Sequence, residues 1–285
     1  MSIAAAKTLA GVVGWPVHQS LSPLLHGFWL REHGITGAYV ALPVKTIAFS
    51  SVVTGLRAAG FAGVNVTIPH KQAAFAIADG CDDAARVAAA ANLLVFKDER
   101  IEARNTDIAG LKASLVEAIG PDALRARNIV IIGAGGGARA AVLACDALEA
   151  AGIYILNRTD RRVAALIHDL AGSTTAKLHA GGLDAWPNLA PDAALFIHAT
   201  SAGMNGAPSL DLDLRLLPPG AAVCDLVYRP LETAILARAR ELSLRAIDGL
   251  GMLMHQAVPA FEAFYGIRPE VTPALRAELE QALRE

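Results

Sequence analysis

Short apolar runs alternate with helical spacing over the first 107 residues. Strands are predicted over residues 9–14, 38–42 and 62–68, and helices from Ser22-Pro23 onwards, over 47–59 and over 72–78. A hairpin is predicted from residues 92–96 and 100–103, followed by a helix over 107–119. Because strands alternate with helices, this part is expected to form a mostly parallel sheet covered by helices.

A second alternation begins at Asn128. Strands are predicted over residues 128–132, 152–156, 194–199 and 222–226, with a helix over 139–150 after the first of them. The last predicted helix, 274–284, carries Leu275, Leu279 and Leu283 on one stripe, which is typical of a structural helix. The fold class predicted from both parts is α/β, with the second part forming a nucleotide-binding unit in outline.

Composition narrows the possible partners. The 285 residues suffice for two domains, and a net charge of −2 without long basic runs predicts neither nucleic-acid nor membrane binding, so small molecules are expected. The apolar run at residues 8–14 is short and leads into Trp15-Pro16, which favours a buried strand over a signal peptide. Three widely spaced cysteines predict no disulfide framework and no metal site, and they fit a cytoplasmic protein.

Lys71 lies where an apolar strand gives way to a helix. Pro69 stops the strand, so Lys71 is expected in the first helical turn, where the positive end of the helix dipole disfavours an ammonium group. A lysine in that position suits proton transfer. The alternative is a solvated surface lysine, because most lysines are exposed.

A glycine-rich loop follows the strand at 128–132. It consists of Gly133, Ala134, Gly135, Gly136, Gly137 and Ala138, and it matches G-x-G-x-x-A between a strand and a helix. Glycines there let the backbone approach a pyrophosphate, which rests on the helix N-terminus. The sequence therefore predicts a dinucleotide site, with an ordinary tight turn as the alternative.

The end of the next strand favours NADP over NAD. An NAD site usually has an acidic residue there, but this chain has Asn157, Arg158, Thr159, Asp160, Arg161 and Arg162. Arginine offers a planar fork to a phosphate, so the pattern predicts binding of the NADP 2′-phosphate. The alternative is a surface charge run paired through Asp160.

Hydroxyl and carboxylate groups mark the substrate side. Ser20 and Ser22 lie at a helix start, where they could hold a carboxylate, although Ser22 could equally be an ordinary N-cap. Asp107 opens another helix and is a candidate partner for Lys71, with helix capping as its alternative role.

Taken together, the motifs resemble those of the shikimate dehydrogenase family. They occur in family order and span nearly the whole chain: residues 20–23 (Ser-Leu-Ser-Pro), 65–71 (Asn-Val-Thr-Ile-Pro-His-Lys), 105–107 (Asn-Thr-Asp), 133–137, 157–159, 199–204, 225–228 and 249–252, with Gln256. The resemblance implies a substrate domain at 1–107, a Rossmann-type NADP-binding domain at 108–248 and C-terminal helices at 249–285 that pack back on the substrate domain, with the site in a cleft between the domains.

The resemblance also implies roles for individual residues. Lys71 would be the acid/base, paired with Asp107. Substrate would be bound by Ser20, Ser22 and Tyr228 at its carboxylate and by Thr67, Asn92, Asp107 and Gln256 at its hydroxyls. Cofactor contacts would fall on Gly133 to Gly137, Asn157, Arg158, Thr159, Arg162, Leu226, Gly249 and Asp83.

The implied activity is the reversible NADP(H)-dependent reduction of 3-dehydroshikimate to shikimate in chorismate and aromatic amino-acid biosynthesis. The chain departs from the family at Gln19, Leu93, Ile108 and Tyr265, none of which is a proposed catalytic residue. Two alternatives stay open: a quinate/shikimate dehydrogenase that uses NAD, and a non-catalytic NADPH-binding sensor. The motifs leave a homodimer open as well.

Overall fold

The structure is a computed structural model that describes residues 8–204 and 207–284. They divide into two compact units, one comprising the described residues of Met1–Thr106 and Gln256–Glu285 and the other Asp107–His255. The predicted division differs at residue 107 and at residues 249–255, and the functional assignment of each unit stays a prediction. In the described residues, no helix is long and apolar enough to span a membrane, and no group of three or more His, Cys, Asp or Glu side chains could hold a metal ion.

Parallel strands dominate the sheet of the first unit. Its strands are β1 (Thr8–Gly14), β2 (Gly37–Pro43), β3 (Phe61–Val66), β4 (Gly80–Cys81), β5 (Leu93–Lys97) and β6 (Arg100–Arg104). They lie in the order β2-β1-β3-β5-β6-β4, and β1 runs parallel to both of its neighbours. β5 is antiparallel to β3 and β6, which confirms the predicted hairpin. The carboxyl ends of β1, β2 and β3 therefore share one edge of the sheet.

The second unit has the strand order of a dinucleotide-binding fold. Its strands are β7 (Asn128–Ile132), β8 (Gly152–Leu156), β9 (Lys177–Gly181), β10 (Ala193–His198), β11 (Ala222–Asp225) and β12 (Arg245–Ile247). They are all parallel and lie in the order β12-β11-β10-β7-β8-β9. Counted from β7, this is the Rossmann order, and it reverses direction between β7 and β10. Ligands of such sheets bind beyond the carboxyl ends of the strands at that reversal.

Helices cover both sheets, which confirms the predicted α/β class. They are α1 (Ser22–Glu32), α2 (Phe49–Ala58), α3 (Lys71–Ile77), α4 (Asp83–Ala88), α5 (Asp107–Ile119), α6 (Gly136–Asp146), α7 (Asp160–Leu170), α8 (Trp186–Leu189), α9 (Ala234–Glu241), α10 (Gly249–Tyr265) and α11 (Pro273–Arg284). The division between the units falls within α10.

Aromatic side chains hold the C-terminal residues on the first unit. Trp29 of α1 packs edge to face on Phe261 of α10, with ring centroids 5.3 Å apart, and its Nε1–H donates to Glu270 O at 3.0 Å. The Tyr265 hydroxyl donates to Ala38 O on β2 at 3.0 Å. Tyr265 thus fixes the end of α10 to an edge strand, which gives this departure from the family a structural role.

The strands missing from the sequence prediction are β4, β9 and β12, and each is an edge strand. Edge strands are partly solvated, so their apolar pattern is weak; β9 buries none of its five residues. The helix predicted over 139–150 begins three residues earlier, at Gly136, because glycines of the loop already form its first turn.

Candidate active site

Lys71 is the first residue of α3, one residue before the predicted helix start. His70 occupies the N-cap position, and its Nε2–H donates to Val44 O at 2.7 Å. The Lys71 carbonyl accepts from the Ala91 N–H at 2.9 Å. These bonds anchor the backbone on both sides of Lys71, whose side chain is half-buried.

Thr67 lies in the turn that connects β3 to α3. Its N–H donates to Val13 O at 2.9 Å, and its carbonyl accepts from the His70 N–H at 2.9 Å. The turn directs Ile68 outwards, where 69% of it is exposed. The prediction that the strand continues to residue 68 is therefore wrong, since β3 ends at Val66.

Two hydroxyl groups lie at the start of α1. The helix begins at Ser22 with Leu21 in the N-cap position, so the alternative that Ser22 is an ordinary N-cap is wrong. The Ser20 hydroxyl accepts a hydrogen bond from the Ser22 N–H at 3.3 Å. The Ser22 side chain is buried and lies near the Tyr39 hydroxyl. Both serines thus lie beside the first turn of α1.

A chain of buried hydrogen bonds leads from Tyr39 to two predicted substrate residues. The Tyr39 hydroxyl donates to Asn65 Oδ1 at 2.8 Å, and Asn65 Nδ2 donates to Asn92 O at 3.2 Å. Asn92 Nδ2 donates to Thr106 Oγ1 at 2.9 Å and to Gln256 Oε1 at 3.2 Å. Burial raises the pKa of Tyr39 well above its usual value, so its phenol stays a donor. The first unit therefore brings Asn92 and Gln256 together.

Three residues of this hydrogen-bond chain were not predicted as site residues: Tyr39, Asn65 and Thr106. Asn65 and Thr106 lie within motifs that were recognised, and a polar Asn65 between Val64 and Val66 is the signal that was missed, since a buried amide requires partners. The role of Tyr39 depends on the register of β2 against β1, which no local pattern specifies.

Asp107 is the first residue of α5 and of the second unit, and it is buried. Asn105, two residues before it, is held by two hydrogen bonds: its N–H donates to Asp82 Oδ1 at 3.3 Å and its Nδ2 donates to Ala90 O at 2.9 Å. Lys71 belongs to the first unit, so its pairing with Asp107 stays a prediction.

The glycine-rich loop joins β7 to α6 at the reversal of strand order. Gly133 has a φ of +131°, and a Cβ there would lie 2.6 Å from Ala199 O. Ala134 and Gly137 are half-buried, whereas Gly135 and Gly136 are exposed. Because α6 begins at Gly136, its first N–H groups have no intrahelical acceptor and start at this exposed point.

The end of β8 lies next to this loop in the sheet. The Asn157 N–H donates to Gly181 O at 3.2 Å, and Asn157 Nδ2 donates to the Thr159 carbonyl at 3.2 Å. Arg158 and Arg162 are exposed on either side of the α7 start. Their guanidinium groups are accessible to an anionic ligand.

Leu226 follows β11, and a Cβ at Gly249 would lie only 2.4 Å from its carbonyl oxygen. Tyr228, two residues further on, is half-buried. Both predicted residues thus lie in the second unit with the glycine-rich loop. Asp83 lies in the first unit, where it is exposed at the start of α4 and forms an ion pair with Arg86.

Comparison with known proteins agrees with this arrangement. The family model for the shikimate dehydrogenase substrate binding domain matches residues 12–94. The NADP(+)-dependent shikimate dehydrogenase of Methylobacterium radiotolerans is 48% identical over 280 residues, which cover 97% of this chain and 97% of the relative. The chain belongs to the shikimate dehydrogenase family. The resemblance predicted from the motifs is confirmed.

Solved structures of this family have the same fold. The shikimate 5-dehydrogenase of Thermus thermophilus, in complex with NADP(H) and shikimate, is 32% identical with a TM-score of 0.83, covering 97% of this chain and 98% of that chain. The quinate dehydrogenase of Corynebacterium glutamicum, in complex with NAD, is 25% identical with a TM-score of 0.88, covering 96% of this chain and 99% of that chain. The fold alone therefore does not separate shikimate from quinate dehydrogenases.

The remaining departures from the shikimate dehydrogenase pattern fall at structural positions. Leu93 is fully buried in β5, opposite Asn65 of β3. Ile108 is the second residue of α5 and is half-buried. Gln19 makes a long side-chain bond to the Pro16 carbonyl. These residues shape the surroundings of the predicted site residues and replace none of them.

Gly133→Ala is predicted to lower the free energy of unfolding by about 1–3 kcal/mol, because an alanine would be strained at positive φ and would press on Ala199. Gly135→Ala is the matched control, since a Cβ there has no atom within 4 Å. Chemical denaturation of both variants measures the difference. Equal stability of the two would contradict the close approach at Gly133.

Proposed function

We propose that this chain catalyses the reversible, NADP(H)-dependent reduction of 3-dehydroshikimate to shikimate. The observation that carries the proposal is the 48% identity, over nearly the full length of both chains, with an NADP(+)-dependent shikimate dehydrogenase. The strand order of the second unit and the polar groups at the edge of the first sheet support it. The same reaction serves chorismate and aromatic amino-acid biosynthesis.

The substrate is held by the first unit and by Tyr228. Ser20 and Ser22, beside the first turn of α1, bind the carboxylate with Tyr228. Asn92 and Gln256 bind ring hydroxyls together with Thr67 and Asp107. The bonds among Asn92, Thr106 and Gln256 support this role, because they hold both amides in fixed orientations before the substrate arrives.

Proton transfer is assigned to Lys71. Its backbone is anchored by the His70 and Ala91 bonds, which limits the positions that its ammonium group can reach. Lys71 donates a proton to the developing alkoxide at the ring carbonyl and accepts it again in the reverse direction. The Asp107 carboxylate orients the ammonium group. NADPH, when bound, supplies the hydride.

The second unit fits NADP. Open space around Gly135 leaves room for a pyrophosphate next to the first amides of α6. Arg158 and Arg162 offer guanidinium groups to the 2′-phosphate, and Asn157 and Thr159 are assigned cofactor contacts beside them. The remaining cofactor contacts in the second unit are assigned to Gly133, Ala134, Gly136, Gly137, Leu226 and Gly249. In the first unit a contact is assigned to Asp83.

An NAD-dependent quinate/shikimate dehydrogenase is the second candidate, because the chain shares its fold with a quinate dehydrogenase in complex with NAD. Measuring kcat/KM for shikimate and for quinate, each with NADP and with NAD, separates the two. We expect shikimate with NADP to have the highest value. A preference for quinate or for NAD would contradict the proposal, and cofactor binding without any turnover would favour a sensor instead.

Lys71→Ala is predicted to lower kcat by about 100-fold or more while leaving the dissociation constant of shikimate nearly unchanged, because the lost interaction acts on the transition state. Lys97→Ala is the matched control: Lys97 is an exposed lysine of the same unit, in the β5–β6 hairpin. Steady-state kinetics and calorimetric binding measure both effects. A Lys71→Ala enzyme with wild-type kcat would remove Lys71 from the mechanism.

The double variant Arg158→Ala/Arg162→Ala is predicted to raise KM for NADP about tenfold or more, because a charge-assisted hydrogen bond to the phosphate contributes about 1.5–3 kcal/mol. KM for NAD should stay unchanged, since NAD lacks that phosphate. Lys177→Ala is the control. Lys177 is an exposed basic residue at the amino-terminal end of β9, whereas the two arginines follow the carboxyl end of the parallel neighbour β8. A parallel rise in both KM values would show that the arginines do not recognise the 2′-phosphate.

We also propose that the protein functions in the cytoplasm. Cys81, Cys145 and Cys224 are free, and two of them are buried, as expected in a reducing compartment. A homodimer remains a prediction that light scattering of the purified protein tests.

A further inference from the structure

His198 and Asp225 form a fully buried pair in the second unit. They end the neighbouring parallel strands β10 and β11, and neither exposes any side-chain surface. The distance from His198 Nδ1 to Asp225 Oδ1 is 2.8 Å. Because a carboxylate accepts, Nδ1 carries the proton, and Nε2 lies 2.6 Å from the Thr200 hydroxyl. None of the roles assigned above uses this pair.

Asp225 ties together both ends of the loop that follows β11. Its Oδ1 also accepts from the Val227 N–H at 3.0 Å, and its Oδ2 accepts from the Thr233 hydroxyl at 2.7 Å. Thr233 is the N-cap of α9. One buried carboxylate therefore fixes the beginning and the end of the segment 226–233, which contains Leu226 and Tyr228.

His198 is hydrogen-bonded to the turn that follows β10. The Thr200 hydroxyl, held by the imidazole, accepts from the Ala202 N–H at 3.1 Å. The Ala199 carbonyl in the same turn lies so close to Gly133 that a Cβ at Gly133 would be 2.6 Å from its oxygen. The pair thus links the turn beneath the glycine-rich loop to the loop that carries Leu226 and Tyr228.

We propose that His198 and Asp225 are positioning residues that set the distance between the glycine-rich loop and the 226–233 loop, and thereby the affinities for NADP and shikimate. The inference rests on the proposed function for its substrate. It adds residues that touch neither ligand and act through Ala199, Leu226 and Tyr228.

Three variants separate positioning from stability. His198→Leu removes both hydrogen bonds, whereas His198→Asn keeps an amide N–H close to the position of Nδ1 and so keeps the bond to Asp225. Leu170→Ala is the stability control, because Leu170 is fully buried at the C-terminal end of α7, at the opposite end from its cofactor-facing start. As a further variant, Thr233→Val removes only the hydroxyl that closes the loop.

The experiment measures the dissociation constant of NADP by calorimetry, KM for shikimate, and the melting temperature of each variant. We expect His198→Leu to raise both binding parameters about tenfold or more, and Leu170→Ala to lose stability without a change in either. His198→Asn keeps the bond to Asp225 but loses the bond to Thr200, so KM for shikimate should stay within about threefold of wild type while the dissociation constant of NADP rises. If His198→Leu does not fold, Thr233→Val decides, with a rise of KM for shikimate expected.

Wild-type binding by His198→Leu, or by Thr233→Val when it stands in, would overturn the proposal. An equal rise of KM for shikimate in His198→Asn and His198→Leu would also overturn it, because the bond to Asp225 would then not matter. A wild-type protein that binds NADP without oxidising shikimate would refute the proposed function instead, and the calorimetric series would still test the positioning of the cofactor loop.

Discussion

The second unit depends on the close approach of backbone segments at the carboxyl ends of β7, β10 and β11. A Cβ at Gly133 would lie 2.6 Å from Ala199 O, and a Cβ at Gly249 would lie 2.4 Å from Leu226 O. These distances leave no room for a side chain at either position, so the glycine-rich loop packs directly on the turn after β10, and the start of α10 packs directly on Leu226. The buried His198–Asp225 pair occupies the strand ends beneath this crowded region.

In the first unit, too, the predicted site residues follow the carboxyl ends of parallel strands, but they carry polar side chains instead of glycines. Parallel β1, β2 and β3 end at one edge, so the segments carrying Ser20, Ser22, Thr67 and Lys71 start there. Buried bonds from Tyr39 through Asn65 to Asn92 then fix the side chains. Burying these groups would be costly without partners, and each of them donates or accepts within the chain of bonds. The first unit therefore holds these polar groups in fixed positions within an otherwise apolar core.

Much of this architecture is predictable from local pattern. The alternation of apolar strands and helices identifies the α/β class, and Gly133 to Gly137 after a continuous apolar strand identifies the dinucleotide fold. The turn before Lys71 is recognisable because Pro69 stops the preceding strand. The edge strands β4, β9 and β12 are not predictable in this way, since solvation weakens their apolar pattern. The roles of Tyr39 and His198 depend on strand register, which brings residues distant in sequence into contact.

The proposed function requires that Lys71 and Asp107 act on one substrate hydroxyl. A crystal structure of the protein with NADPH and shikimate, a pair that cannot react with each other, tests it most directly. We expect the shikimate carboxylate at Ser20 and Ser22, and both Lys71 Nζ and the Asp107 carboxylate within about 3 Å of the same ring hydroxyl. Shikimate bound with that hydroxyl in contact with neither residue would contradict the assigned roles of Lys71 and Asp107.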